Sequence, residues 1–386
     1  MSTGHTPQQR TDQTPPRARP SAVILHDLFR IKGGGERLTL SLARHCADAL
    51  CFGAAGEEGF DPRSVPGVQI HDLRATGGCF GLRTLRLMHA FRFRTGFIRA
   101  YDVAIYSGIL APLAVHQRPG RRNILYCHTP PRFAYDQYRF DMQQLPRWKR
   151  PFMAAYVPLL RRLYAAAVAR MDCIVVNSST IQHRVARYLG RPSVIVHPPC
   201  DIDRFQWRGQ GDYYLSTARL VPLKRIDVIV EAFRAMPDKQ LVVASGGSEL
   251  ERLRALAGNA ANIRFAGWTD EETLLALVGN CIATLYLPVE EDFGMSPVES
   301  MSAGKPVIGV QEGGVAETVL HGRTGLLLPP SPSPADVIAA VRTMTPELAL
   351  TMRTACRCRA AEYDERLFVE RMRRIVAGEW LARFPE

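Results

Sequence analysis

Short apolar blocks and longer amphipathic stretches alternate along this chain, the pattern of strands and helices taken in turn. The blocks predict strands over 22–25, 68–70, 103–106, 123–127, 173–176 and 194–196. The first of them runs through Lys32-Gly33-Gly34-Gly35 into a helix over 36–50. The alternation breaks at His197-Pro198-Pro199, and the charged, glycine-containing stretch 203–211 reads as a linker. It resumes with strands over 213–216, 241–244, 263–265, 282–285, 307–310 and 325–328. Helices fit 225–236, 249–256, 270–278 and 314–320, and two more, over 332–344 and 346–374, precede a basic amphipathic tail to Glu386. Two such arrays imply an α/β fold of two doubly wound, parallel-sheet, Rossmann-like domains facing across a cleft. No internal repeat of solenoid length is visible.

Composition adds bounds. A chain of 386 residues, 46% hydrophobic and 22% charged, can fill two cores, so disorder is expected only at the ends. Residues 1–20 are such an end: polar, proline-rich, and without the apolar segment of a signal peptide. No apolar run approaches the roughly 18–20 residues that span a bilayer. Nine cysteines without a CxxC pair or zinc spacing fit a reducing cytoplasm.

The net charge of +12 favours an anionic partner: nucleic acid, anionic lipid or a phosphorylated substrate. Its distribution says more. Arg83, Arg86, Arg92, Arg94 and Arg99 are interleaved with Leu85, Leu87, Met88, Phe91, Phe93, Phe97 and Ile98, with no acid among them. The stretch 147–170 repeats the theme with Trp148, Phe152, Tyr156 and Leu160. Both patterns suit helices on an anionic membrane surface and equally suit core-packed helices with a solvated arginine face. No nucleic-acid recognition motif accompanies the charge, so no nucleic-acid partner is expected.

Candidate chemistry concentrates at strand ends. Glu291-Asp292-Phe293-Gly294-Met295-Ser296-Pro297-Val298-Glu299 sets two carboxylates around a Phe-Gly turn and the start of a helix. Unpaired amides at such a helix start suit an anion, and carboxylates beside it suit hydroxyls, so a nucleotide-sugar would satisfy both. Gly33-Gly34-Gly35 opens a helix after a strand, a place for phosphate or for an ordinary tight turn; it is neither GxGxxG nor a P-loop. Arg219 and Lys224 follow the first strand of the second array, where two cations suit a departing diphosphate. His128 stands just past the strand over 123–127. Asp201-Ile202-Asp203 falls in the linker without a third ligand nearby, so no metal is expected.

Taken jointly, these residues resemble the retaining glycosyltransferases of family 4 (glycosyltransferase group 1). Glu291 to Glu299 matches the E-x7-E signature, Ala303-Gly304-Lys305-Pro306-Val307 its continuation, and Arg219 with Lys224 the Arg-x4-Lys element. Asn177-Ser178 and His197-Pro198-Pro199 with Asp201 and Phe205 resemble inter-domain landmarks of the family. His128-Thr129-Pro130-Pro131-Arg132 with Tyr135 and Asp136 is similar to bacterial O-antigen and exopolysaccharide mannosyltransferases. The resemblance implies a GT-B fold, with an acceptor-side domain over 21–203, a nucleotide-sugar-binding domain over 204–365, and a C-terminal helix over 366–386 packing back on the first domain.

It also implies roles. Arg219 and Lys224 would neutralise the diphosphate, and Gly34 and Gly35 would close over it. Glu291 would accept from donor-sugar hydroxyls beside the backbone of Phe293, Gly294 and Met295. Glu299 would hold the ribose, Gly267 and Trp268 would lie near the base, and His128 would support the reacting centre. The extra glycine in Gly33-Gly34-Gly35-Glu36-Arg37, against the common Gly-Gly-x-Glu, leaves open which amide meets phosphate. The implied activity is transfer of a hexose, mannose from GDP-mannose first, to a lipid-linked saccharide. The setting would be cell-surface polysaccharide synthesis at the inner face of the cytoplasmic membrane, with no cofactor. A UDP- or ADP-sugar donor, or a catalytically silent nucleotide-sugar binder, are the alternatives.

Overall fold

A computed structural model describes residues 19–31, 33–76, 80–118 and 120–379. The expected disordered tail over 1–20 lies outside these residues but for its last two, as does the end of the basic tail, 380–386. Strands β1 (Ala22–Phe29), β2 (Ala49–Ala55), β3 (Gln69–Asp72), β4 (Val103–Ser107), β5 (Arg122–Cys127), β6 (Cys173–Val176) and β7 (Val194–Ile195) form one sheet. Its order is β3-β2-β1-β4-β5-β6-β7, and every pairing is parallel. Helices α1 (Gly34–Cys46), α2 (Phe80–Phe93), α3 (Tyr138–Gln144), α4 (Arg150–Val168) and α5 (Ser179–Leu189) belong to this domain.

The second sheet joins β8 (Tyr213–Ser216), β9 (Gln240–Val243), β10 (Ile263–Phe265), β11 (Thr284–Tyr286), β12 (Val307–Val310) and β13 (Gly325–Leu328). Its order, β10-β9-β8-β11-β12-β13, repeats that of the first six strands of the other sheet. Helices α6 (Ile226–Arg234), α7 (Leu250–Ala257), α8 (Glu271–Asn280), α9 (Met295–Ser302) and α10 (Val315–Thr318) connect these strands, and α11 (Pro334–Thr343) and α12 (Pro346–Ala361) follow. In both sheets the order reverses beside the first strand. Parallel sheets place ligands at such switch points, beyond the strands' carboxyl ends.

Two elements differ from the sequence expectation for a physical reason, and a third is shorter than expected. The helix expected over 36–50 ends at Cys46 as α1, and β2, which the sequence does not announce, follows it. The strand Ala-Leu-Cys-Phe-Gly-Ala-Ala is buried nearly throughout and therefore shows no alternation; alanine and glycine, of low strand propensity, make up four of its seven residues. The single helix expected over 346–374 is two. It breaks at Glu362–Asp364, where Asp364 caps α13 (Glu365–Ala377) by accepting from Arg366 N at 2.7 Å. Cys200 N donates to Tyr363 O at 2.9 Å across the same break, so the two chain crossings run side by side. Beyond it α13 leaves the second domain and buries Phe368, Met372 and Val376 among Leu38 and Leu42 of α1 and Tyr126 of β5. The helix expected over 314–320 is the shorter α10.

Candidate active site

The carboxyl edges of the two sheets face each other. From the first domain, β1 delivers the glycine loop. A Cβ on Gly34 would stand 3.5 Å from Met295 Cγ in the first turn of α9, so loop and helix start abut across the cleft. A Cβ on Gly35 would stand 3.5 Å from His128 Cε1 and 3.6 Å from its Nδ1, which places that ring directly behind the loop.

His128 follows β5 and is fixed from below. Its Nε2 bonds Ser107 Oγ at 2.8 Å, and Ser107 Oγ meets Thr39 Oγ1 at 2.9 Å and His26 Nδ1 at 3.1 Å. Asn177 Nδ2 donates to the His128 carbonyl at 2.9 Å. Burial holds the His128 pKa down at about 4 and, with help from His128, that of His26 at about 3. Near neutrality both rings are uncharged, so His128 offers the cleft a neutral imidazole.

This has a stability consequence. A folded pKa below the unfolded value near 6.5 means that the unfolded chain binds protons first on acidification. The stability present above pH 6.5 is lost as pH falls towards the folded pKa. For His128 alone that amounts to about 3 kcal/mol by pH 4. Urea midpoints should fall between pH 6.5 and 4 in the parent chain and less steeply in His128→Gln; identical slopes would refute the assignment.

From the second domain, β11 runs out through Leu287–Gly294 to α9. Gly294, at φ 89°, is the N-cap of α9 and supplies no side-chain cap, which leaves the first amides of α9 without an internal side-chain acceptor. Lys224 Nζ donates to the Glu291 carboxylate and, at 3.0 Å, to Tyr286 Oη. Arg219 is exposed at the end of β8, close enough to Glu36 to favour its charged form. The Glu36 carboxylate folds back onto the glycine loop, with one oxygen 2.5 Å from where a Cβ on Gly33 would stand. Burial raises its pKa, opposed by the amides of Glu36 and Gly33 and by Arg219.

Glu299 is one turn further along α9 and receives Arg37 of α1 at 3.3 Å. Burial raises its pKa, and Arg37 opposes that shift. Gly267, at φ 68°, turns the chain after β10. Trp268, 72% exposed, lies over Gly246, whose Cβ would meet the indole Nε1 at 2.4 Å. The Gly246 carbonyl in turn accepts from Leu220 N at 3.0 Å, so Trp268 and Arg219 share one wall. The structure thus brings Gly34, Gly35, His128 and Met295 together across the seam and sets Lys224, Glu291 and Arg219 around Tyr286, with Gly267 and Trp268 further out beyond β10.

The sequence pointed to only some of the groups that hold the seam shut: Ser178, Arg132 and Asp292 lie in motifs it singled out, whereas Arg184, Ser179 and Glu317 do not. Arg184 of α5 pairs with the Asp292 carboxylate and donates to Glu290 O at 3.0 Å; Arg132 donates to the same carbonyl at 3.0 Å. Ser178 Oγ donates to Asp292 O, and Ser179 N to Glu317 at 2.8 Å. Burial pushes the Asp292 pKa up to about 6 against the pull of Arg184 and Arg132. Glu290 adopts φ 43°, in the left-handed region, to present its carbonyl to both arginines. Arg184 was invisible because its α5 reads as a plain amphipathic helix, although its partners Asp136 and Asp292 and the neighbouring Asn177-Ser178 all lie in motifs the sequence singled out.

Two Rossmann-like sheets with their carboxyl edges meeting at a cleft define the GT-B architecture. The description Glycosyltransferase Family 4 matches residues 32–204, and Glycosyl transferases group 1 matches residues 201–353. The chain belongs to this family and is a glycosyltransferase. It is 24% identical over 419 residues to the alpha-1,3/1,6-mannosyltransferase ALG2 of Homo sapiens, covering 93% of this chain and 96% of that protein. It is 29% identical over 203 residues to the GDP-mannose-dependent alpha-(1-6)-phosphatidylinositol monomannoside mannosyltransferase of Mycobacterium tuberculosis, covering 45% of this chain and 52% of that protein. Among solved structures, Anabaena HepE in complex with UDP and glucose matches with a TM-score of 0.71 at 16% identity, over 92% of this chain and 99% of that one, a likeness of fold.

Proposed function

We propose that the protein is a retaining hexosyltransferase that moves mannose from GDP-mannose to a lipid-linked saccharide. The observation that carries it is the meeting of Lys224 and Glu291 at the uncapped start of α9, facing the glycine loop and His128. In this reading the second domain, 204–365, binds the nucleotide-sugar and the first, 21–203, binds the acceptor. Arg219, Lys224 and the α9 amides take the charge that develops on the diphosphate as the anomeric bond breaks. Glu291 accepts from the sugar hydroxyls, Glu299 from the ribose, and Trp268 flanks the base. The departing phosphate takes the acceptor proton during front-face attack, so neither an enzymic nucleophile nor a resident metal is called for.

Mannose rests on the names of the two mannosyltransferase relatives. The experiment is a panel of GDP-, UDP- and ADP-sugars followed by nucleoside-diphosphate release. Release highest with GDP-mannose supports the reading. A UDP- or ADP-sugar as best substrate would replace the donor, and binding without turnover would replace the enzyme with a silent binder.

The acceptor's lipid implies a membrane, and the proposed setting is peripheral, on the inner face, in O-antigen or exopolysaccharide synthesis. No helix among the described residues is long and apolar enough to cross a membrane. Trp148 and Phe152 are 68% and 73% exposed beside Arg147 and Lys149, and Leu159 continues the apolar face of α4. Aromatic side chains among cations suit an anionic lipid interface. Trp148→Glu with Phe152→Glu is expected to cut co-sedimentation with anionic vesicles at least tenfold while leaving nucleotide binding unchanged. Retention equal to the parent chain would remove α4 from the interface.

A further inference from the structure

A second concentration of positive charge lies outside the cleft just described. Two adjoining hollows, of about 470 and 650 Å³, run between β3, the edge strand of the first sheet, and α2. Both are lined by Arg74 and Arg94; Arg86 and His89 complete one, Arg63 and His71 the other. These volumes are of the size that takes a small-molecule group. Asp72 is the one acid lining either hollow among the described residues, and it is already engaged, paired with Arg63 at 2.7 Å. Arg86 donates to a neutral partner, Thr76 O, at 3.3 Å.

The construction is specific in two further respects. Arg74 sits at φ 48°, in the left-handed region, held there by its own amide donating to Asp72 Oδ1 at 2.9 Å. His71 stacks on Phe97 with ring centroids 3.9 Å apart, and its Nε2 is buried without a hydrogen-bond partner. A core-facing helix needs neither a cationic groove nor an orphaned imidazole nitrogen. Arg74 to Thr76 also follow directly on the carboxyl end of β3. In a parallel sheet that is the edge from which β1 and β5 present the glycine loop and His128. Leu85, 54% exposed, lines the same groove, and Leu82 and Phe93 of α2 are exposed beside it at 45% and 64%.

Cations that accept a phosphate, next to apolar side chains left in water, describe a ligand with both characters. We propose that this groove is an acceptor subsite that holds the phosphate or diphosphate of an amphiphilic acceptor, with Arg74, Arg86 and Arg94 on the anion and Leu85 on the start of its hydrocarbon chain. The inference rests on the acceptor-side assignment of the first domain made above and adds to it the chemistry by which that acceptor is recognised. It gives α2 a different task from α4: α2 reads one molecule, and α4 lies on a surface.

The test uses farnesyl diphosphate, below its micellar concentration, titrated into the full chain with the donor cleft saturated by GDP. Farnesol and inorganic pyrophosphate serve as fragments, and anionic vesicles without any prenyl diphosphate as a fourth arm. Farnesyl diphosphate is expected to bind at least tenfold more tightly than either fragment. Arg74→Gln with Arg94→Gln should weaken it at least tenfold, steeply dependent on salt, with GDP affinity unchanged. An unchanged affinity in that variant, or farnesol binding as well as its diphosphate, overturns the proposal. Vesicle binding with the same dependence on these arginines also overturns it, in favour of a headgroup site. A parent chain that binds no nucleoside diphosphate at all counts against the donor reading and leaves the prenyl titration to be judged by itself.

Discussion

Lys224→Met is expected to lower kcat for sugar transfer by between a hundredfold and ten-thousandfold, with a smaller change in donor KM. A cation that meets charge developing on the leaving diphosphate acts in the transition state more than in the ground state, and groups of this kind contribute about 3–5 kcal/mol. Lys224 also has a structural debt to its neighbour. Its removal leaves the Glu291 carboxylate, 24% exposed, without the cation it now pairs with. The single variant should therefore lose stability as well as rate, because an uncompensated half-buried charge is costly. Adding Glu291→Gln separates the two effects. The double variant should recover much of the thermal stability and none of the rate. Recovery of both would mean that Lys224 serves only to neutralise Glu291, and the diphosphate role would pass to Arg219 alone.

What was legible in the sequence, and what was not, follows from the range of each interaction. Glu291, Gly294 and Glu299 are legible because they lie on one turn and the helix it opens, so their relation is local and spacing carries it. His128, Arg219 and Lys224 are legible because a parallel sheet puts its strand ends on one edge. The partners that cross the seam are a different matter. Arg37 meets Glu299 across 262 positions, and Arg184 meets Asp292 across 108. No periodicity in α1 or α5 announces either contact, because both depend on how two finished domains dock.

The fold shows the same division. Strands set off by turn residues were readable even where wholly buried, as β4 and β6 are, whereas β2 follows α1 with only Ala47 and Asp48 between them and has no polar face to alternate with. The break between α12 and α13 was hidden for a related reason. Apolar periodicity continues through Tyr363, and it is the pairing of Cys200 with Asp364 across the crossing, together with the Asp364 cap, that ends one helix and starts the next. Local propensity is silent where tertiary contact sets the boundary.

The docked seam also predicts opposite signs for two neighbouring charges. Glu299→Ala is expected to raise donor KM by between tenfold and a hundredfold, the loss of charge-assisted hydrogen bonds of about 1.5–3 kcal/mol to the ribose hydroxyls. The same variant should no longer distinguish a ribose donor from its 2′,3′-dideoxy analogue, whereas the parent chain should. In this structure, however, the Glu299 carboxylate is held by Arg37, so on the proposed function the ribose would have to take the place of a guanidinium. Arg37→Met removes that competitor. It should leave donor KM unchanged or lower it, even though it deletes a cation next to an anionic ligand. On the same reading, Glu36 one residue earlier would stand to the diphosphate as Arg37 would to the ribose, since its carboxylate occupies the glycine loop near Arg219. Glu36→Gln should accordingly tighten nucleoside-diphosphate binding, and the two substitutions together should do so more than either. If Arg37→Met instead raises KM as Glu299→Ala does, Arg37 holds the donor directly, and the ion pair with Glu299 is its resting position rather than an obstacle.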